Sequence, residues 1–394
     1  MTSWKPHRLD QLGTVARGKS RHRPRNDPVL YGGQWPFFQT GDVKAAELYL
    51  REFTQTYSDT GLAQSKLWPT GTLCITIAAN IADTAILAIP GCFPDSVVGF
   101  IADPQKAEAR FIKYCIDTLK QGMQNASHGT TQDNLSVDKL LTFDFVVPPV
   151  DEQRRIASIL SAYDDLIENN TRRIAILDEM ARRLYEEWFV RFRFPGHEGV
   201  RMVESELGLV PEGWDVVRLD QVLVLQRGFD LPKQDRAEGS FPIVSATGVS
   251  GSHSDCKVTG PGVVTGRSGS LGTVMYIEGD FWPLNTTLWV KQFLVGSPLY
   301  AFFVLQGIDL AGFNSGAAVP TLNRNDIHGL PVVRPPAEVL RQFDNVAHPI
   351  VTLKNRLLTA NTNLRTTRDL LLPKLISGEL DVSKLPEPEA VASA

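Results

Sequence analysis

From Ile156 the apolar positions recur in alternating steps of four and three: Ile156, Leu160, Tyr163, Ile167, Asn170, Ile174, Leu177, Ala181, Leu184 and Trp188. Nine of these ten are apolar or aromatic, and the exception is Asn170. This spacing keeps one seam on one helical face, which is the coiled-coil signature. Leu, Arg, Glu and Ala dominate the stretch, and all are good helix formers. Pro148 and Pro149 block an earlier start, Asp151 and Glu152 suit a helix N-terminus, and Pro195-Gly196 ends the pattern. About 40 helical residues make a rod of roughly 60 Å, too long to bury its seam against itself. The same walk from Phe343 runs through Val346, Ile350, Leu353, Leu357, Ala360, Leu364, Thr367 and Leu371. Pro349 lies inside it and is expected to kink or split that helix. The pattern predicts two antiparallel helices forming one spacer; the alternative is two amphipathic helices on separate cores. Asn170 either pairs with a polar group across the seam and fixes its register or sits at the seam's wet edge. Tyr185, Trp188, Phe189, Phe192 and Phe194 cluster at the end of the first rod, as core and as a patch for another subunit.

The segments flanking the first helix resemble each other. Trp4, Arg8 and Arg17 recur 210 residues later as Trp214, Arg218 and Arg227. WPFFQTGDV (35–43) parallels FPIVSATGV (241–249), and PTGTLCIT (69–76) parallels GPGVVTG (260–266). CFPDSVV (92–98) parallels FWPLNTT (281–287), and SHGTTQDNLS (127–136) parallels NSGAAVPTLN (314–323). Towards the helices the offset falls to 187, which relates VVPPV (146–150) to VRPPA (333–337) and one seam to the other. The first copy holds extra residues, mainly around 45–66. Globular unit and helix are therefore duplicated together, at about 1–147 and 200–335. Short β-branched runs (73–78, 263–264, 272–277, 287–290) alternate with Gly and Pro turns, and helical patches fall at 107–120 and 298–306. Each unit reads as a small α+β domain. Two copies at the ends of an antiparallel rod are related by a pseudo-two-fold axis. That suits a two-part target of fixed spacing, and duplex DNA is such a target.

Composition narrows the class. The 394-residue chain is 43% hydrophobic, enough for two or three soluble domains. A net charge of −4 does not advertise a nucleic-acid binder, although local patches survive inside such a total. Four scattered cysteines (Cys74, Cys92, Cys115, Cys256) lack CxxC spacing, which argues against a zinc site and fits a reducing compartment. The N-terminal sequence has no apolar signal region, and the run 75–89 is too short and polar to span a bilayer. A cytoplasmic protein with a disordered tail after Leu385 is expected.

GTVARGKS (13–20) fits the P-loop pattern, but HRLDQL before it is no buried strand and RHRPRNDP after it will not continue a helix. The same stretch carries Arg17, Lys19, Arg21, Arg23 and Arg25, with no acid before Asp27. In an extended loop this is a phosphate-contacting surface or a solvated charge run. Arg227 occupies the matching place in the second copy. TGRSGS (265–270) offers Arg267 and Ser268 between glycines, for contact with guanine or phosphate or as a tight turn between strands. Asn125, Ser127 and His128, with counterparts Asn314 and Ser315, are expected in polar loops, reading base edges or closing Asx-type turns. No methyltransferase, HExxH or nuclease-like motif is evident, so no catalytic or metal-binding residue is assigned.

The chain resembles specificity subunits of type I restriction–modification systems along nearly its whole length. The resemblance rests on the duplication and on PPVDEQRRIASIL with ENNTRRIAILDEMARRLYEEWFVRFRFPG, YGGQWPFFQTGDV, VSATGVSG with GVVTGRSGSLGT, and RDLLLPKLISGEL. The second copy lacks the Glu-Gln of DEQRR. The resemblance implies a non-catalytic DNA-binding subunit with two tandem target-recognition domains, each reading half of a gapped duplex site. Two long antiparallel coiled-coil helices would separate these domains, set the gap and dock modification subunits. It further implies S-adenosylmethionine in those methyltransferase partners, ATP and Mg in restriction subunits, and no membrane. The expected layout is 1–147 and 200–335 for recognition, 148–195 and 336–382 for spacers, and 383–394 for a tail. A two-headed protein-binding scaffold is the rival reading.

Overall fold

The computed structural model describes residues 4–127, 135–313, 320–383 and 385. The tail beyond Leu385 lies outside them. The chain forms two compact units, residues 1–172 with 357–394, and residues 173–356. Each takes half of both long helices.

The first unit is built on a five-stranded sheet. Its order is Gly13–Arg17, Val97–Ala102, Leu73–Thr76, Thr84–Leu87 and Tyr49–Leu50, antiparallel except for the last pair. Every residue of the central strand Leu73–Thr76 is buried, because both faces of the sheet are covered. Leu73 and Ile75 join a core with Phe111, Ile112 and Ile116 of the helix Ala109–Ser127. Cys74, between them, joins a second core with Trp68, Phe93 and Val97. The edge strand Tyr49–Leu50 and the strand Gln55–Tyr57 come from the extra residues of this copy.

The second unit repeats the plan with four strands: Leu223–Arg227, Thr287–Phe293, Gly262–Gly266 and Val274–Ile277. The helix Pro298–Gln306 lies where the sequence places it. The short ribbon Lys5–His7 with Phe145–Val147 also recurs, as Asp215–Arg218 with Pro331–Arg334. Strand register refines the duplication. Arg17 pairs with Val98 as Arg227 pairs with Leu288, and Ile75 pairs with Val98 as Thr265 pairs with Leu288. From the central strand onward the sheets therefore correspond at an offset of 190, while the first strand keeps 210. This moves the expected match of 92–98 onto 282–288, one residue further along.

The long helices are Val150–Tyr185, continued by a π turn at Glu186–Val190, and Ala337–Ile376. The first starts directly after Pro148-Pro149, but its regular part ends ten residues before Pro195. The second runs unbroken through Pro349, so of the expected kink or split the split does not occur. Proline removes one backbone hydrogen bond there, while Phe343, Ala347 and Val351, all buried, hold the turns on either side.

The helices pair antiparallel. In the first unit Asn170 Nδ2 donates to Asn361 Oδ1 at 2.9 Å, so the seam's polar exception meets a polar partner. One turn or two away, Arg368 pairs with buried Asp164, which also accepts the Tyr114 hydroxyl. In the second unit Lys354 reaches Asp178 at 2.7 Å. The helix ends close the cores. Leu375 and Val382 belong to the first unit's core, and Gly378 lies against Trp4. Trp188, Phe189 and Phe194 are buried in the second unit, around Trp214. The aromatic cluster is thus core.

Arg368→Leu would leave Asp164 charged and buried without its cation. A loss of about 3–5 kcal/mol is expected in denaturant unfolding of the first unit. A loss under 1 kcal/mol would show that the pair carries no such role.

Candidate nucleic-acid interface

In each unit one end of the main sheet gathers the loops of interest. In the first, strands finish at Arg17 and Thr76 and begin at Thr84 and Val97. In the second, they finish at Arg227 and Gly266 and begin at Val274 and Thr287. The chain leaves Arg17 through Gly18, where a Cβ would stand 2.3 Å from the Phe93 and Pro94 carbonyl oxygens. At Gly228 a Cβ would stand 2.2 Å from the Leu284 oxygen. Only glycine allows this crossing, which brings the segment after the first strand against the 91–96 turn or its counterpart. It also disposes of the P-loop pattern: residues 13–17 are a strand, not a phosphate-cradling loop.

The basic run is organised by an acid from another loop. Arg25 Nη2 lies 3.0 and 2.9 Å from the two Asp95 carboxylate oxygens, and Arg17 Nε donates to the Asp95 carbonyl at 2.9 Å. Arg23 donates to the carbonyls of Ser20 and His22, both at 2.8 Å. His22 meets Asp27 at 2.9 Å, and Asp27 is held below the usual carboxylate range by the Val29 backbone N–H and by His22. The run has no acid of its own before Asp27, and Asp95, distant in sequence, supplies one. Lys19 and Arg21 remain without a side-chain partner among the described residues. A third cation joins them. Lys66 lies 3.5 Å from the centre of the Trp68 ring, and burial, then the Lys19 charge, lowers its pKa.

In the second unit Arg227 and Arg267 share one small network. Arg227 lies 3.6 Å from Asp230, Asp230 accepts from Asn285 Nδ2, and Arg267 Nη1 donates to the Asn285 carbonyl at 3.1 Å. Arg267 is half-buried, and its backbone N–H and that of Ser268 both bond to the Thr286 carbonyl. The glycine-flanked stretch is indeed a connection between strands, with its arginine held in place. Asn125 is placed differently from expectation. The helix extends to Ser127, so Asn125 sits in its last turn and accepts from Gln121 at 3.0 Å. The neighbouring Gln124 donates to the Ile81 carbonyl at 3.1 Å, tying this helix end to the 77–83 loop. His128, Asn314 and Ser315 lie outside the described residues, as does the Ser127 side chain.

The connection after the central strand is the same loop twice. Residues 77–82 (IAANIA) correspond to 267–272 (RSGSLG). The first residue of each donates to the facing turn, Ile77 to Ser96 and Arg267 to Thr286. The same residue accepts from Leu135 at 2.9 Å or Leu322 at 2.8 Å. Left-handed conformations fall at Ala79 and Ala82, both with φ of 62°, and at Gly269 and Gly272, with φ of 92° and 89°.

The family model for the type I restriction modification DNA specificity domain matches residues 1–179. The specificity subunit of the type I restriction enzyme MjaIX of Methanocaldococcus jannaschii is 24% identical over 97% of this chain and 94% of its own length. The specificity subunit of EcoR124I/EcoR124II of Escherichia coli is 26% identical over 48% of this chain and 49% of its own. The S subunit from M. genitalium has the same fold, with a TM-score of 0.68 at 15% identity, covering 95% of this chain and 96% of that one.

Residues 1–179 match the type I restriction–modification DNA specificity domain, and the whole chain is similar to type I specificity subunits.

Arg17, expected in an extended loop, instead ends a strand as Arg227 does, and Arg267 and Ser268 follow the strand Gly262–Gly266. Sequence reasoning missed Asp95, Lys66 and Asn285, which single positions do not signal and which only the tertiary crossing brings in. The duplication at 190, traced through the 69–76 and 260–266 motifs, contained the loop correspondence. Among the described residues no His, Cys, Asp and Glu group forms a metal site. No described helix is long and apolar enough to cross a membrane.

The loop equivalence has a thermodynamic signature. Gly269→Ala places a Cβ in a left-handed position with open space around it, so strain alone sets its cost, about 1 kcal/mol. Ala79→Gly relieves that strain at the matching exposed position and is expected within about 0.5 kcal/mol of wild type. Chemical denaturation of both variants checks this, and an Ala79→Gly loss as large as that of Gly269→Ala would refute the shared conformation.

Proposed function

We propose that this specificity subunit recognises a gapped duplex DNA target, each unit reading one half-site through the loop-bearing end of its sheet. The repetition of one sheet end carries the reading: the same crossing, the same arginine position and the same loop occur in both units. Lys19, Arg21 and Lys66 suit phosphates, because each presents a cation that no described acid neutralises. Arg17, Arg23 and Arg25 hold the loop, and their guanidinium faces are only secondary contacts. Arg267, fixed by the Asn285 carbonyl and flanked by glycine, suits guanine or phosphate. Residues 1–147 and 200–335 are the recognition domains, and 148–195 and 336–382 set their spacing and dock modification subunits.

The subunit is the non-catalytic member of its complex. S-adenosylmethionine belongs to the modification subunits, and ATP and Mg belong to restriction subunits. A cytoplasmic location follows from DNA as target.

Sequencing of DNA methylation with this gene intact and deleted tests the reading. A gapped, two-part motif that disappears on deletion is the expected result. Failure of the assembled complex to bind any duplex at physiological salt would instead favour a protein-binding scaffold. For the phosphate contacts, Lys19→Ala with Lys66→Ala should lower the slope of log affinity against log salt by about 1.8, roughly 0.9 per contact. Arg25→Ala is expected to change it by less, since its charge is already paired with Asp95. Equal effects from the two variants would remove the distinction between free and paired cations.

A further inference from the structure

We propose that residues 77–82 form the base-reading loop of the first unit, and that Asn80 is its specificity-determining side chain. This rests on the DNA-recognition reading and deepens it by naming the element that reads. The equivalent loop in the second unit carries its polar groups on Arg267, Ser268 and Ser270. At the Arg267 position the first unit has Ile77, which is buried in the core. The reading group of the second unit therefore has no counterpart at that position in the first. Ile81 and Ala82 are buried as well, and Ala78 and Ala79 have no hydrogen-bonding side chain. Asn80 is the single polar side chain of the six.

Its surroundings leave it free to act. The Asn80 carbonyl accepts from the Thr76 hydroxyl, matching the Ser270 carbonyl, which lies so close to Gly266 that a Cβ there would stand at 1.9 Å. The backbone, not the amide, thus holds the loop. The amide oxygen meets only Lys44 Nζ, at 3.4 Å, and the amide nitrogen has no partner among the described residues. Asp83, the adjacent acid, is paired with Lys120 at 2.5 Å, so the loop does not turn a bare carboxylate towards a phosphate backbone. Ala79, immediately before Asn80, is exposed and left-handed, where glycine would be less strained. Such strain is retained where a side chain must be presented in one orientation. A half-buried amide with a free donor beside an acceptor matches the N6 and N7 edge of adenine in the major groove.

The test uses the full chain assembled with its modification subunits. Methylated motifs are sequenced for wild type, Asn80→Ala and Asn80→Asp, with the melting temperature of each. Asn80→Ala is expected to relax discrimination at one base pair of one half-site, roughly five- to hundred-fold. The other half-site and the melting temperature stay unchanged. Asn80→Asp, which loses the donor, is expected to shift preference at that same position away from adenine. An unchanged motif in both variants overturns the proposal while the wild-type gapped motif keeps the DNA reading intact. Loss at both half-sites, or a lowered melting temperature with uniform loss, overturns it in favour of a structural role. If the wild type itself methylates no gapped motif, the underlying reading fails and the proposal with it.

Discussion

Each compact unit closes its core with helix residues that lie outside its own globular copy. The first unit's core takes Leu375 and Val382 from the far end of the chain, and the second takes Ala181, Trp188 and Phe189 from the end of the helix that follows the first copy. Each unit therefore folds on the N-terminal half of its own long helix and the C-terminal half of the other. Helices of this kind have little stability apart from the packing of their apolar face. The motif RDLLLPKLISGEL gains its meaning here. Arg368 pairs with Asp164, Leu375 fills the core, and Gly378, with φ of 76°, turns the chain beside Trp4. In the second copy Phe189, Phe192 and Phe194 do the same work against Trp214.

Polar groups on the seam give this arrangement its register. A purely apolar seam tolerates a slip of one heptad at modest cost, because leucine meets leucine either way. Asn170 opposite Asn361, and Asp164 opposite Arg368, do not. A slip would leave a buried amide and a buried carboxylate unpaired, each costing more than the hydrogen bond is worth when made. Asn361 also donates to the Ile167 carbonyl and the Thr171 hydroxyl, so three groups on one helix agree on a single position of the other.

The architecture was legible because it is written in periodicity. The 4-3 seam, the proline stops and the offsets of 210 and 187 all report on local sequence, and the helices, strands and duplication follow them. What was not legible depends on tertiary approach. Nothing near residue 25 announces Asp95, so a run of five cations read as free when two of its arginines are occupied by one distant residue. Lys66 enters the patch through a stack on Trp68 that no linear motif encodes. Asn125 lies in a helix, not a loop, because the helix continues for seven mostly polar residues past Lys120, anchored by buried Met123. Pro349 does not split its helix, because buried Phe343, Ala347 and Val351 hold the turns on both sides of it. The net charge of −4 hides the patch in the same sense: it counts acids such as Asp95 that are already paired with arginines.

Duplication also explains how one architecture holds two different readers. The 77–82 and 267–272 loops keep the same anchors because those anchors are backbone hydrogen bonds, indifferent to side chains. The side chains are then free to diverge, and they have. Where one loop has a half-buried arginine tied to Asn285, the other has an isoleucine committed to the core. A position that is structural in one copy is thus available for chemistry in the other, and the polar function moves along the loop to the remaining site that faces outward. Symmetric scaffolding with asymmetric loops is what the proposed two-part target would require, since the anchors repeat while the side chains differ.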